Sequence, residues 1–149
     1  MAHMALDRAR HIADALGGRK VLNADLGTPR ALLRGVESGL PYASLDALTA
    51  RFGLTRAEVA AATRIPLRTL ARRKRERKLH PDESDRLVRL ARIAADGARV
   101  LGDERTAGSW LRDANVALGG ERPIDLLKSD LGARQVDDVL GRIEFGVYS

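Results

Sequence analysis

Each of the five prolines in this chain stands where a helical pattern begins or breaks, and that punctuation restricts the fold before any other feature does. Proline lacks the N–H that a helix interior needs, but it suits the first turn, where that donor has no intrahelical partner. Thr28-Pro29, Pro66, His80-Pro81 and Pro123 each open an apolar-periodic stretch, whereas Ser38-Gly39-Leu40-Pro41 interrupts one. Between these marks apolar residues recur three and four apart, the spacing of one helix face. Leu6, Ala9, Ile12, Ala13 and Leu16 give an amphipathic helix within 5–22 that ends near Gly17-Gly18. Leu32, Leu33 and Val36 line the next. Leu45, Leu48 and Phe52 mark a helix over 44–52, which Gly53 ends. Leu87, Leu90, Ile93 and Ala94 mark a long one over 83–101, and Val136, Val139, Leu140 and Ile143 a last one over 132–145. Shorter helices are expected over 104–114 and 123–128, with a turn at Gly119-Gly120 between them. Strand signals are nearly absent, so the fold class is all-α.

Composition agrees. Aromatic residues make up only 3% of the 149 residues, so a core must come from Leu, Val, Ile and Ala, which packed helices accommodate. There is no cysteine, which removes disulfides, thiolate metal sites and a cysteine nucleophile, and fits a reducing cytoplasm. No run of eighteen apolar residues and no export leader is present, so a cytoplasmic protein with no membrane partner is expected. The opening MAHM has the form of a cloning remnant and is left out of the fold reading.

Charge is uneven. The net charge is +6, but Leu54–His80 holds nine basic and two acidic residues, a local net of +7. Glu121–Ser149 holds four basic and six acidic residues, a local net of −2. Two surfaces for two partners follow from that division. Within the basic stretch, Thr55-Arg56-Ala57-Glu58 has capping-box spacing, a short helix runs to Ala62, and Thr63-Arg64-Ile65 turns into a helix opened by Pro66. Two short helices with a three-residue turn, the second strongly basic, form a helix-turn-helix. Val59, Ile65 and Leu70 supply its inner contacts and Ala60 its close approach. Arg68, Arg72 and Arg75 fall on one face of the second helix, with Thr69, Arg73 and Glu76 beside them and Leu67, Leu70 and Ala71 on the other side. Arg68, Thr69 and Arg72 are expected near base edges, and Arg73, Lys74, Arg75 and Lys78 near the DNA backbone. A merely solvated charged helix is the competing reading, but one acid among seven bases over 66–80 leaves i,i+4 pairing unable to explain the run. Arg64 occupies the turn position where such motifs usually carry Gly, and a positive φ there costs about 1 kcal/mol.

The ordered segments RTLARRK, LHPDESDRL, WL, ALGGERPIDLL and VDDVLGRIEFGVY resemble Xre-type antitoxins of RES–Xre toxin–antitoxin systems, whose C-terminal toxin-binding domain is shared with the MbcA and ParS antitoxins. The resemblance spans about Leu40–Tyr148; the first forty residues match nothing specific. It implies a Cro-like helix-turn-helix followed by a small helical toxin-binding domain, with the chain divided as 1–40, 41–101 and 102–149. It also implies a non-enzymatic antitoxin that covers the active-site entrance of an NAD-consuming RES toxin and represses its own operon as a dimer.

The residues themselves fit that outline. The chain ends in Glu144-Phe145-Gly146-Val147-Tyr148, an aromatic tail where ends are usually polar, and so a candidate anchor for a partner. Arg142 and Glu144 flank it and could pair with charges in the toxin cleft. The alternative for Phe145 is that it folds back on the core. Trp110 is expected in the core, and Gly119-Gly120 with Pro123 read as a turn and helix start before they read as a toxin contact. Catalysis has no support: there is no cysteine and no phosphate-cradling loop, and His3, His11 and His80 have no metal spacing. The Ser84-Asp85 and Asp137-Asp138 pairs are expected on exposed helix faces. No cofactor is expected. A stand-alone helix-turn-helix regulator is the alternative function. Half-site reading needs a two-fold dimer, and the apolar side of helix 83–101 and the N-terminal region are the candidate seams.

Overall fold

The structure, a computed structural model, describes residues 2–146. Ten helices follow in order: α1 (Ala2–Ala15), α2 (Gly18–Leu22), α3 (Pro29–Ser38), α4 (Tyr42–Phe52), α5 (Arg56–Thr63), α6 (Leu67–Glu76), α7 (Pro81–Leu101), α8 (Glu104–Arg112), α9 (Pro123–Leu126) and α10 (Asp130–Glu144). A 3₁₀ turn, Val116–Leu118, lies between α8 and α9. No strand occurs among the described residues. The nearest thing to one is a single antiparallel bridge between Pro41 and Lys78.

Side-chain caps set several helix starts, Thr28 as the punctuation indicated and Asp103 and Ser129 without any such signal. Thr28 Oγ1 accepts from the Ala31 amide at 3.2 Å with Pro29 in the first turn. Asp103 Oδ1 accepts from Thr106 N at 2.7 Å and opens α8, and Ser129 Oγ accepts from Gly132 N at 3.1 Å and opens α10. Each bond satisfies one of the donors a helix start leaves unpaired. The first helix stops at Ala15, close to the expected end at Gly17-Gly18, where both glycines take positive φ; the short α2 that follows was not expected.

α7 is the spine. Leu87, Leu90, Ala91, Ile93, Ala94 and Gly97 are buried along it, and α1, α3, α5, α8 and α10 all pack on it. Its apolar side is therefore consumed within the chain and is not a seam for a second copy. Ser84, expected on an exposed face, is also buried: its Oγ accepts from Leu40 N at 2.8 Å and ties the start of α7 to the α3–α4 link. Asp137 is half-buried and pairs with Arg92, whereas Asp85 and Asp138 are exposed. Trp110 packs half-buried against the core.

Two glycines let helices approach closely. A Cβ at Gly108 would collide with the carbonyl of Phe52, so α8 can lie on the end of α4 only with Gly there. A Cβ at Gly132 would meet the carbonyl of Leu126 in the same way, which fixes α10 against α9.

Candidate functional site

α5 and α6 form the helix-turn-helix. Thr55 Oγ1 accepts from Glu58 N at 3.0 Å, while Glu58 Oε1 accepts from Thr55 N at 2.8 Å, a complete capping box. Arg64 ends α5 in the left-handed region at φ 54°, so the turn is made at the expected place by a non-glycine residue. Val59, Ile65 and Leu70 are fully buried, and they fix the angle between the helices.

The packing of α6 differs from the sequence expectation in two places. Leu67 is 53% exposed and Ala71 is exposed, so neither lies on the inner side. Arg73, expected near a DNA phosphate, points inward and is 6% exposed. Its Nε donates to Glu83 Oε1 at 2.7 Å and its Nη1 to Glu76 Oε1 at 3.1 Å, with Nη2 3.2 Å from His80 Nδ1. A guanidinium with its donors spent in this way is not presented to a phosphate. Leu67 and Arg73 stand three residues to either side of Leu70, and the helix is rotated toward Arg73 because Glu83 waits there. Burial raises the Glu83 carboxyl, but the Arg73 guanidinium and the His80 N–H outweigh it and hold the group below its ordinary range. Arg68, Arg72, Lys74, Arg75 and Lys78 are exposed, and Thr69 is half-buried.

The end of α6 is pinned as well. Tyr42 N donates to Arg77 O at 3.1 Å and Leu79 N to Leu40 O at 2.8 Å, so the chain leaving the basic helix is stitched to the α3–α4 link.

The C-terminal helix is held to α7 by a ladder of ion pairs. Arg89 meets Asp130 at 2.8 Å, Arg92 meets Asp137 at 3.0 Å, and Arg99 meets Glu144. Asp96 lies among Arg92, Arg99 and Arg8; burial pushes its carboxyl up even so. The Glu144 carboxylate, expected to be available to a partner, is spent on Arg99, which holds it below its ordinary range. Beyond it Phe145 does not fold back: it is 77% exposed. Gly146 takes φ 68° directly after the helix, and Arg142 is exposed. Val147 and Tyr148 lie outside the described residues. A further exposed apolar side chain, Val116 at 94%, sits in the 3₁₀ turn before Gly119-Gly120.

One connection had no counterpart in the sequence reading. Besides capping α5, Glu58 accepts from Arg112 Nε at 2.9 Å and lies 3.6 Å from Arg122 Nη1. One carboxylate thus joins the helix-turn-helix to the end of α8 and the start of α9. Capping spacing identifies Glu58, but its partners are 54 and 64 residues away and carry no local signal.

Residues 31–92 match the Xre-like antitoxin helix-turn-helix domain, and residues 96–146 match the C-terminal toxin-binding domain of the Xre/MbcA/ParS antitoxins. The chain is 31% identical over 148 residues to a protein called Antitoxin Xre from Yersinia enterocolitica, covering 95% of this chain and 99% of that one. It is 40% identical over 83 residues to an Antitoxin Xre of Pseudomonas putida, covering 55% of this chain and 52% of the other. A third, from Photorhabdus laumondii, is 28% identical over 116 residues, covering 76% of this chain and 78% of its own.

Proposed function

The chain belongs to the Xre antitoxin family, and on that premise we propose that it neutralises an NAD-consuming RES-domain toxin and represses its own operon. Neutralisation falls to the C-terminal end, where Arg142, Phe145 and Gly146, with Val147 and Tyr148 beyond them, cover the toxin's active-site entrance. The observation that carries this reading is Phe145: a large aromatic side chain left exposed at the tip of a helix anchored by the Arg99–Glu144 pair. A soluble chain with only two phenylalanines buries one, Phe52, and presents the other.

Repression falls to α5 and α6. Arg68, Thr69 and Arg72 meet base edges, and Lys74, Arg75 and Lys78 meet phosphates. The exposed cationic side of α6 supports this, as does the anchoring of that helix at both ends. The protein acts in the cytoplasm as a dimer, binds no cofactor and performs no reaction of its own.

The test uses the open reading frame beside this one. Expressed alone, the neighbour should deplete NAD and stop growth; co-expressed with this chain, both should recover. If the neighbour is harmless or NAD never changes, the protein is a stand-alone DNA-binding regulator and the toxin reading is wrong.

A further inference from the structure

The outward side of α6 is not purely cationic: Leu67 and Ala71, both exposed, lie on it beside the arginines. With about 100° between successive helical residues, Leu67, Ala71, Arg75, Arg68 and Arg72 follow one another across an arc of about 140°. Leu70 and Arg73, the two buried residues of α6, lie opposite. Leu67 therefore stands at one shoulder of the arc, with Lys74 just outside it, Arg68 and Arg75 near the arc's centre and Arg72 at the far shoulder. Leucine at 53% exposure contributes nothing to solubility, and the contact that closes α6 on α5 is already made by Leu70. The apolar surface continues onto α5 in a shallow depression lined by Ala57, Ala61, Pro66 and Leu67, with Arg64 at its edge.

Resting on the reading of α6 as the DNA-facing helix, we propose that Leu67, assisted by Ala71, is a specificity-determining residue that reads the C5-methyl group of thymine. Thymine is the one base in unmodified DNA that offers a methyl group in the major groove, and that methyl sits beside the edges arginine reads on a neighbouring guanine. The first residues of a recognition helix enter the groove deepest, which is where Leu67 stands. Ala71, one turn later, leaves room for the groove wall. Charge selects this partner over a protein surface. The apolar strip is enclosed by Arg68, Arg72, Lys74 and Arg75, and the one acid on α6, Glu76, is turned away and bonded to Arg73. A polyanion carrying methyl groups matches both features at once. The operator half-site accordingly contains a thymine next to the guanine that Arg68 contacts.

The experiment starts from a duplex enriched by the full chain from a randomised pool. Each thymine is then replaced singly by uracil, which removes only the methyl group. For the unsubstituted chain, uracil at one position per half-site should weaken binding about three- to fivefold, which is what burying one methyl group supplies. Leu67→Ala should bind the thymine duplex correspondingly less well and no longer distinguish the two. Leu67→Gln, which keeps the reach of the side chain but not its apolar end, should behave the same way, and circular dichroism of both variants checks the fold. Equal binding to thymine and uracil at every position, or full discrimination retained by Leu67→Ala, overturns the assignment while leaving α6 as the DNA-facing helix. Failure of the chain to enrich any sequence removes the DNA reading and this one with it.

Discussion

Arg73 donates from Nε to Oε1 of Glu83 across 2.7 Å, and the same oxygen accepts the His80 N–H at 2.8 Å. Both side chains are more than nine-tenths buried. A single carboxylate oxygen thus holds the basic helix and caps the long one, so the pose of α6 depends on a charge pair rather than on apolar packing alone.

Removing one partner strands the other in the interior. Arg73→Met should destabilise the protein by about 3–5 kcal/mol, the usual cost of leaving a buried charge unpaired. The double variant Arg73→Met, Glu83→Leu should recover most of that loss, as read by chemical denaturation.

The same pair predicts an acid response. The folded-state pKa of Glu83 lies below its ordinary 4.5, so the folded state holds the proton more weakly than the unfolded one. Its stabilisation is present above that value and is lost as pH falls through the folded pKa. Glu83→Gln should therefore be less stable than the parent at neutral pH, and the gap should narrow below about pH 4 in urea melts.

Arg64 predicts a gain. At φ 54° it pays a steric penalty that Gly would not. Arg64→Gly should raise stability by no more than about 0.6 kcal/mol, since glycine's extra unfolded-chain entropy offsets much of the gain. Arg64→Val should lower it. Thermal melts of the pair decide whether the turn is strained.

Operator binding should separate by contact type. Arg68→Ala should cost about 1–3 kcal/mol and relax preference at one base position, whereas Lys78→Ala should weaken all duplexes alike and reduce the salt slope by about one. Gel shifts across a salt series check both. An unchanged Arg68→Ala, Arg72→Ala double variant would remove the recognition-helix assignment.

The tail should be separable from DNA. Deleting residues 145–149 should abolish neutralisation of the toxin and leave operator affinity within about twofold, since Phe145 supports no core. If operator binding collapses equally, the tail is structural and the two surfaces are not independent.

Much of this was legible in the chain. Proline and capping residues placed most helix starts because those bonds are local, as at Thr28 and Thr55. What escaped was rotation. Leu67 and Arg73 flank Leu70 symmetrically, and hydrophobicity alone turns Leu67 inward; the decision rests on Glu83, ten residues past Arg73 and on another helix. Likewise the acidic face of α10 read as solvent-exposed or partner-facing, because its guanidinium partners on α7 lie 41 to 45 residues away. Phe145 was undecided because whether a terminal aromatic folds back depends on space in the core, which no spacing reveals.

The long helix carries a consequence for inheritance. The two family matches meet between residues 92 and 96, inside α7, where Ile93 and Ala94 are fully buried. Recombination that exchanged one module between relatives would have to join two half-helices through a shared core, each bringing side chains fitted to the other's neighbours. The two matched regions are therefore fitted to each other through one helix and one core, and neither is an independent module.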